Sequence, residues 1–231
     1  MRVAIIPARG GSKRIPGKNV KHFKGTPIIA YPIRAAASSG LFDYITVSTD
    51  DDEIARVAEQ YGATVPFRRP AALSHDYVST DDVLAHALEQ CGRLLGEVHQ
   101  ACCIYPINPF LNPSDLRRGL DLLSAHAATS AFPVVAYDFP IEQAFTLKGV
   151  HPRPRWPDLM MARSQDLTPH YHDAGTFYWC DVRRFQATLR LFAHDSVAFV
   201  ISSERCQDIN TPEDWVRAEQ KYELLLRQAR E

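Results

Sequence analysis

The sequence predicts an α/β fold, a mainly parallel sheet with helices on both faces, and three observations carry the prediction. Short β-branched apolar runs alternate with helical patterns. Capping and stopping residues stand at the junctions. The alternation breaks off once, after Ala136, and then resumes. With 231 residues, 45% of them hydrophobic, the chain can bury one sizeable core.

Taken in order, Val3 to Ile6 read as the first strand, and "PIIAYPIRAAASSG" as a helix stopped by Gly40. "YITVSTD" is the next strand, followed by the helix "DDEIARVAEQYG", with Asp51 placed to cap its start and Gly62 to stop it. "TVPFRR" and "TDDVLAHALEQCG" repeat the pair, as do "ACCIYPI" and "PSDLRRGLDLLSAH", where Ser114 stands as the N-cap. Residues 138 to 171 hold five prolines and several aromatics without sustained periodicity, so they read as an arm inserted into a single domain spanning 1–231. "HDAGTFYWCDV" and "VAFVIS" then supply two strands. "TPEDWVRAEQKYELLLRQ" closes the chain as a helix with Thr211 as N-cap, Pro212 at its first position, and Glu213 and Asp214 in its first turn.

Composition narrows the function. Lys and Arg number 26 against 27 Asp and Glu, so the strong basic excess expected of a nucleic-acid binder is missing. The five cysteines are odd in number and show no CxxC spacing, which fits a reducing, cytoplasmic setting. The apolar start is too short for a signal segment or a membrane span and runs straight into Arg9 and Lys13.

Ligands of open parallel sheets bind outside the carboxyl ends of the strands, which directs attention to residues 8–19, 48–50, 105–110 and 172–179. The first of these follows strand one as "ARGGSKRIPGKN". A kinase-type P-loop needs four residues between its first glycine and the Gly-Lys-Ser/Thr; here five separate Gly11 from Gly17, Asn19 replaces the hydroxyl, and Pro16 lacks an amide. A solvated basic loop is the simple alternative. Against it, Gly10 and Gly11 allow close backbone approach, Ser12 adds a hydroxyl, and Arg9, Lys13, Arg14 and Lys18 gather positive charge where a polyphosphate would sit.

The run "IIPARGGSKRIPGKN" resembles the N-terminal signature of the CMP-sialic acid synthetase (acylneuraminate cytidylyltransferase) family, and "VSTDDDEIARVAEQYGA", "RRPAALSHD", "RSQDL", "YHDAGTFYW" and "DINTPEDW" extend the likeness in order along nearly the whole chain. Within that family "YHDAGTFYW" looks like the branch acting on pseudaminic acid. The resemblance implies a Rossmann-like nucleotide-diphospho-sugar transferase fold with an inserted dimerisation arm, and a homodimer whose arm reaches the neighbouring site. It implies transfer of CMP from CTP to a nonulosonic acid with release of pyrophosphate and with Mg2+ as cofactor. Legionaminic acid, sialic acid and Kdo are alternative acceptors. A small-molecule kinase and an inactive nucleotide-binding protein are alternatives of other classes.

By matching positions, the resemblance implies that Ala8, Arg9, Gly10, Gly11, Ser12, Lys13 and Lys18 cradle the nucleotide's phosphates, and that Asn19, Arg69 and Ser74 read its base. Arg9, Lys18 and Asp208 would carry catalysis. Tyr105, Asn108, Arg163, Gln165, His172, Asp173, Gly175 and Phe177 would form the sugar pocket, with Arg163 gripping the carboxylate. Packing is the simplest role for Ile107. His170 and His172 could share one strand face toward zinc, but no third ligand is apparent. Asp208 and Asn210 would hold the metal. Relatives usually carry two aspartates there, so Asn210 costs the site one negative charge, though its carbonyl oxygen can still ligate.

Overall fold

The computed structural model describes residues 1–228. Strand β1 (Arg2–Pro7) lies between β4 (Tyr44–Ser48) and β5 (Gln100–Ile104), parallel to both. β10 (Phe177–Asp181) runs antiparallel between β5 and β6 (Ser130–Ala136), and β11 (Val197–Val200) lies parallel to β6 at the far edge. The sheet order β11-β6-β10-β5-β1-β4, with β9 (Tyr171–Asp173) also on β6, gives the expected mostly parallel sheet. Two short strands, β2 (His22–Phe23) and β3 (Thr26–Pro27), form a hairpin after the first loop.

Strand alternation explains why both faces are covered. Ala4, Ile6, Cys102, Ile104, Phe177 and Trp179 point to one face, into a core shared with α1 (Ala30–Ser39), α2 (Asp52–Gln60) and α4 (Pro113–Ala125). Val3, Ile5, Ala101, Cys103, Tyr178 and Cys180 point to the other, against α3 (Thr80–Leu95) and α5 (Val182–Thr188). The five cysteines are free; burial pushes the thiols up, that of Cys91 to about 11 and that of Cys180 to about 12, which leaves them as inert small apolar groups.

Capping follows the sequence with one exception. Asp51 accepts the Ile54 amide at 2.9 Å, and Thr211 Oγ accepts the Asp214 amide at 3.2 Å at the head of α6 (Pro212–Gln228). The cap of α4 is Asn112, accepting from the Ser114 amide at 2.9 Å, so Ser114 lies inside the helix, two residues after its cap. "TVPFRR" is extended but forms only isolated bridges at Thr64 and Arg68 instead of a strand.

A third core positions the site. Ile15 from the first loop, Phe23 from the hairpin, Phe110 from the segment after β5, and Ile209, Trp215 and Ala218 from the C-terminal region pack together. Phe23 is its hub, edge-on to Tyr31, Trp215 and Tyr222 at 5.6, 5.7 and 5.5 Å. The basic loop is thereby anchored to α6, far away in sequence.

Between β6 and β9 the chain leaves the sheet. β7 (Phe145–Lys148) and β8 (His151–Pro154) pair as an antiparallel hairpin, a regularity that the proline-rich sequence concealed. All eight of their residues are exposed, and Phe139, Leu147, Val150 and Met161 present bare apolar side chains nearby.

Candidate active site

A cleft of about 670 Å3 opens beyond the carboxyl ends of β1 and β5, lined among others by Arg9, Lys13, Lys18, Asn19, Arg69 and Tyr105. A larger opening, about 1020 Å3, lies at the opposite end of the sheet around His99, Asp181 and Arg184. Position and charge favour the former: it sits at the ligand-binding end of the parallel strands and carries the clustered cations.

The basic loop continues β1, and the Ala8 amide still bonds Ser48 O at 2.9 Å. The Gly10 amide then donates to Asp50 Oδ1 at 3.0 Å. The same carboxylate oxygen faces Arg69 Nη2 at 3.7 Å, so Asp50 ties the phosphate loop to the opposite wall, a bracing role invisible in the sequence. A Cβ on Gly10 would fall 2.5 Å from Asp51 Oδ2, whereas one on Gly11 would meet nothing within 4 Å. The glycine requirement therefore belongs to Gly10. After Gly17 the loop enters turns and the β2–β3 hairpin before α1, so no helix N-terminus follows it directly as in a P-loop.

Lys18 reaches back to the carbonyl of Ile209, joining the phosphate loop to residues 208–210. Burial lowers its pKa below 10.5, opposed chiefly by the neighbouring Asp208 carboxylate. Asn19 is 6% exposed and its Nδ2 donates to Arg9 O at 2.8 Å, which uses one of its two N–H donors and orients the amide, leaving Oδ1 and the second N–H for recognition. Arg69 is 5% exposed; its Nε donates to Ser74 Oγ at 3.2 Å, and its buried Nη2 has no hydrogen-bond partner among the described residues. Ser74 thus acts as the brace of Arg69, its own hydroxyl donating to Pro70 O at 3.1 Å.

Several expected sugar-side residues stand elsewhere. Phe177 is 1% exposed, packed in the core toward α4, so it lines no sugar pocket in this chain; its neighbour Tyr178 points the other way, edge-on to Tyr105 at 5.4 Å with its hydroxyl donating to Asp173. Asn108 is also buried and lines a small void with Thr176 behind the cleft wall, while Ile107 takes the cleft-facing position. Gly175, at φ +60°, forms the kink between β9 and β10, and Asp173 Oδ1 accepts its amide at 3.1 Å. His172 is exposed, bonding Asp173 O through Nδ1 at 2.9 Å and stacking edge-on with Tyr137. His170 pairs with Glu142 at 3.1 Å, and no group of three or more metal-ligating side chains occurs among the described residues. Arg163 and Gln165 are exposed on the arm and do not line the cleft.

Asn210 also differs from expectation. Its Oδ1 accepts from Arg14 Nη2 at 2.7 Å and its Nδ2 donates to Asp208 Oδ2, so both ends of its amide are already engaged. It bridges a cation and a carboxylate, and the carbonyl oxygen expected to face a metal is turned to Arg14. Asp76, the last residue of "RRPAALSHD", faces Arg9 and Lys13 across the cleft, a pairing that its sequence neighbours do not announce.

A phosphate-sized cluster of cations beside a buried guanidinium, outside the carboxyl ends of parallel strands, defines a nucleotide-binding α/β protein. The chain belongs to the cytidylyltransferase family, whose profile, described as Cytidylyltransferase, matches residues 3–195. It is 37% identical to the pseudaminic acid cytidylyltransferase of Campylobacter jejuni, over 96% of both chains. It is 31% identical to the CMP-N,N'-diacetyllegionaminic acid synthase of Legionella pneumophila, over 97% of both. Among solved structures it superposes on a CMP:2-keto-3-deoxy-manno-octonic acid synthetase complexed with CTP with a TM-score of 0.71, at 17% identity over 98% of this chain and 99% of the other, a likeness of fold.

Proposed function

We propose that this protein transfers CMP from CTP to a nonulosonic acid, with pseudaminic acid as the first-choice acceptor, releasing pyrophosphate. The observation that carries the reading is the division of the cleft: Arg9, Lys13 and Lys18 on the polyphosphate side, Arg69 and Asn19 as buried polar readers. The Arg69 guanidinium as donor and the Asn19 carbonyl oxygen as acceptor complement the ring acceptors and exocyclic amine of cytosine. Attack comes from the anomeric hydroxyl of the acceptor on the α-phosphate. The protein therefore holds the two substrates in line and neutralises charge as pyrophosphate leaves.

Magnesium fits this donor set through Asp208, whose Oδ2 is held by Asn210 and which adjoins Lys18. One protein carboxylate with substrate phosphates is an ordinary way to hold this ion, and when bound it would neutralise charge on the phosphates. Asn210 positions Asp208 and Arg14. The arm is the surface for a second copy of the chain, because its exposed apolar side chains need a cover and Arg163 would reach a sugar site only in a neighbour. The free thiols suit a reducing cytosol.

The test is incubation with CTP, magnesium and a panel of pseudaminic, legionaminic and sialic acids and Kdo, following pyrophosphate and the CMP-sugar. Turnover should be highest with pseudaminic acid. Absence of CMP-sugar from every acid would end the proposal.

A further inference from the structure

Asp76 lies between a short 3-10 turn (Ala71–Leu73) and Ser79, the N-cap of α3. Its Oδ1 is 2.6 Å from Arg9 Nη2 and its Oδ2 is 2.8 Å from Lys13 Nζ. One carboxylate thus spreads its two oxygens over two cations of the phosphate side, as the oxygens of a phosphate would. Asp76, Arg9 and Lys13 all line the same cleft. The two cations hold the Asp76 carboxyl below the usual carboxylate range.

This anion is built to be exchanged. The Arg9 and Asp76 side chains are 36% and 38% exposed and that of Lys13 is 82% exposed, so solvent screens both pairs and neither is strong. The backbone is fixed on either side, where the Ser74 amide bonds Ala71 O at 3.0 Å and Ser79 Oγ accepts the Asp82 amide at 3.1 Å. Between them the ties are long: Val78 N to His75 O at 3.4 Å, and Tyr77 N to His75 Nδ1 at 3.3 Å, with the Tyr77 side chain almost wholly in solvent. Asp76 can therefore leave without unwinding α3. An arriving polyphosphate competes with Asp76 for these two cations, because two anions held on them together repel each other.

We infer that Asp76 is a specificity residue for the polyphosphate, an internal anion that the triphosphate displaces from Arg9 and Lys13 and that returns as pyrophosphate departs. The inference rests on the nucleotide reading above. It gives the cleft a threshold: a ligand must offer these two cations more negative charge than one carboxylate does. It also weakens the hold on the product.

The probe is inorganic pyrophosphate, titrated calorimetrically into the full chain and its variants, with melting temperatures as a check on folding. D76N should bind pyrophosphate about tenfold more tightly than the parent, the gain expected when two screened ion pairs need no longer be broken. D76E keeps the charge and should stay within about threefold. In a K13A background the gain from D76N should shrink, because one of the two pairs is already gone. Equal or weaker binding by a folded D76N would overturn the inference and leave the nucleotide reading standing. A parent protein that binds neither pyrophosphate nor CTP would overturn the nucleotide reading, and the inference with it.

Discussion

Gly10→Ala puts a methyl group where the structure has no room for one. The added Cβ would lie 2.5 Å from Asp51 Oδ2, 2.9 Å from its Cβ and 3.1 Å from its Cγ, all inside ordinary carbon and oxygen contact. Two routes relieve the clash. Asp51 can swing aside and give up its 2.9 Å bond to the Ile54 amide, losing an N-cap worth about 1 kcal/mol. Alternatively the loop can move outward and stretch the 3.0 Å bond from the Gly10 amide to Asp50, at a similar cost of about 1 kcal/mol. Either route predicts a loss of about 1–2 kcal/mol and, for a chain of this size, a melting temperature lower by roughly 2–8 °C. The second route also shifts Arg9 and its neighbours relative to the α-phosphate, and a displacement approaching 1 Å lowers turnover by about a hundredfold. Gly11→Ala is the control: with nothing near its Cβ, it should change stability by less than about 0.5 kcal/mol. Differential scanning fluorimetry and pyrophosphate-release kinetics on both variants make the comparison. A Gly10→Ala protein that melts with the parent and keeps full activity would refute the packing account of this loop.

Asn210→Asp exchanges the amide that bonds Asp208 for a second carboxylate, and magnesium titration of pyrophosphate release should show half-activation at about three- to tenfold lower metal concentration; an unchanged midpoint would mean that the lost charge is immaterial. Lys18 is needed as a cation and its pKa is lowered by burial, so kcat/KM for CTP should hold below that pKa and fall on an alkaline limb centred below 10.5; Lys18→Arg should carry the limb upward, and a limb that stays put would assign it to another group. Tyr178→Phe removes the hydroxyl that donates to Asp173 and should cost about 1 kcal/mol of stability while raising KM for the sugar acid more than KM for CTP, because Asp173 braces the Gly175 kink; equal effects on both KM values would detach this bond from the acceptor side.

Much of the architecture was legible because local chemistry and tertiary demand agree. The β-branched runs, Asp51 before α2, and Thr211 and Pro212 before α6 each name their element on their own. Errors came where two residues offered the same chemistry or where parity was broken. Asn112 and Ser114 can both cap a helix, and Pro113 at the first helical position is the signal that selects Asn112. The Gly175 kink between β9 and β10 resets the strand alternation, so the sequence pattern could not tell that Phe177 enters the core while Tyr178 turns to Asp173. Within the cleft, Arg9, Lys13, Lys18, Asn19 and Arg69 were readable as a set and the structure brings them together. The parts played by Asp76 and Asp50 were not: "STDDDEI" offers Asp50 as a possible metal or sugar contact, whereas it bonds Gly10, 40 residues away, and Asp76, the last residue of "RRPAALSHD", meets Lys13, 63 residues away. Arg163 lies exposed on the arm and does not line the cleft, and nothing in its local sequence announces that separation.

A structure of this protein with CTP would test the central claim most directly. The account predicts the triphosphate among Arg9, Lys13 and Lys18, with Asp76 displaced and the cytosine against Arg69 and the Oδ1 of Asn19. Nucleotide bound instead at the opposite end of the sheet, around His99 and Arg184, would contradict it.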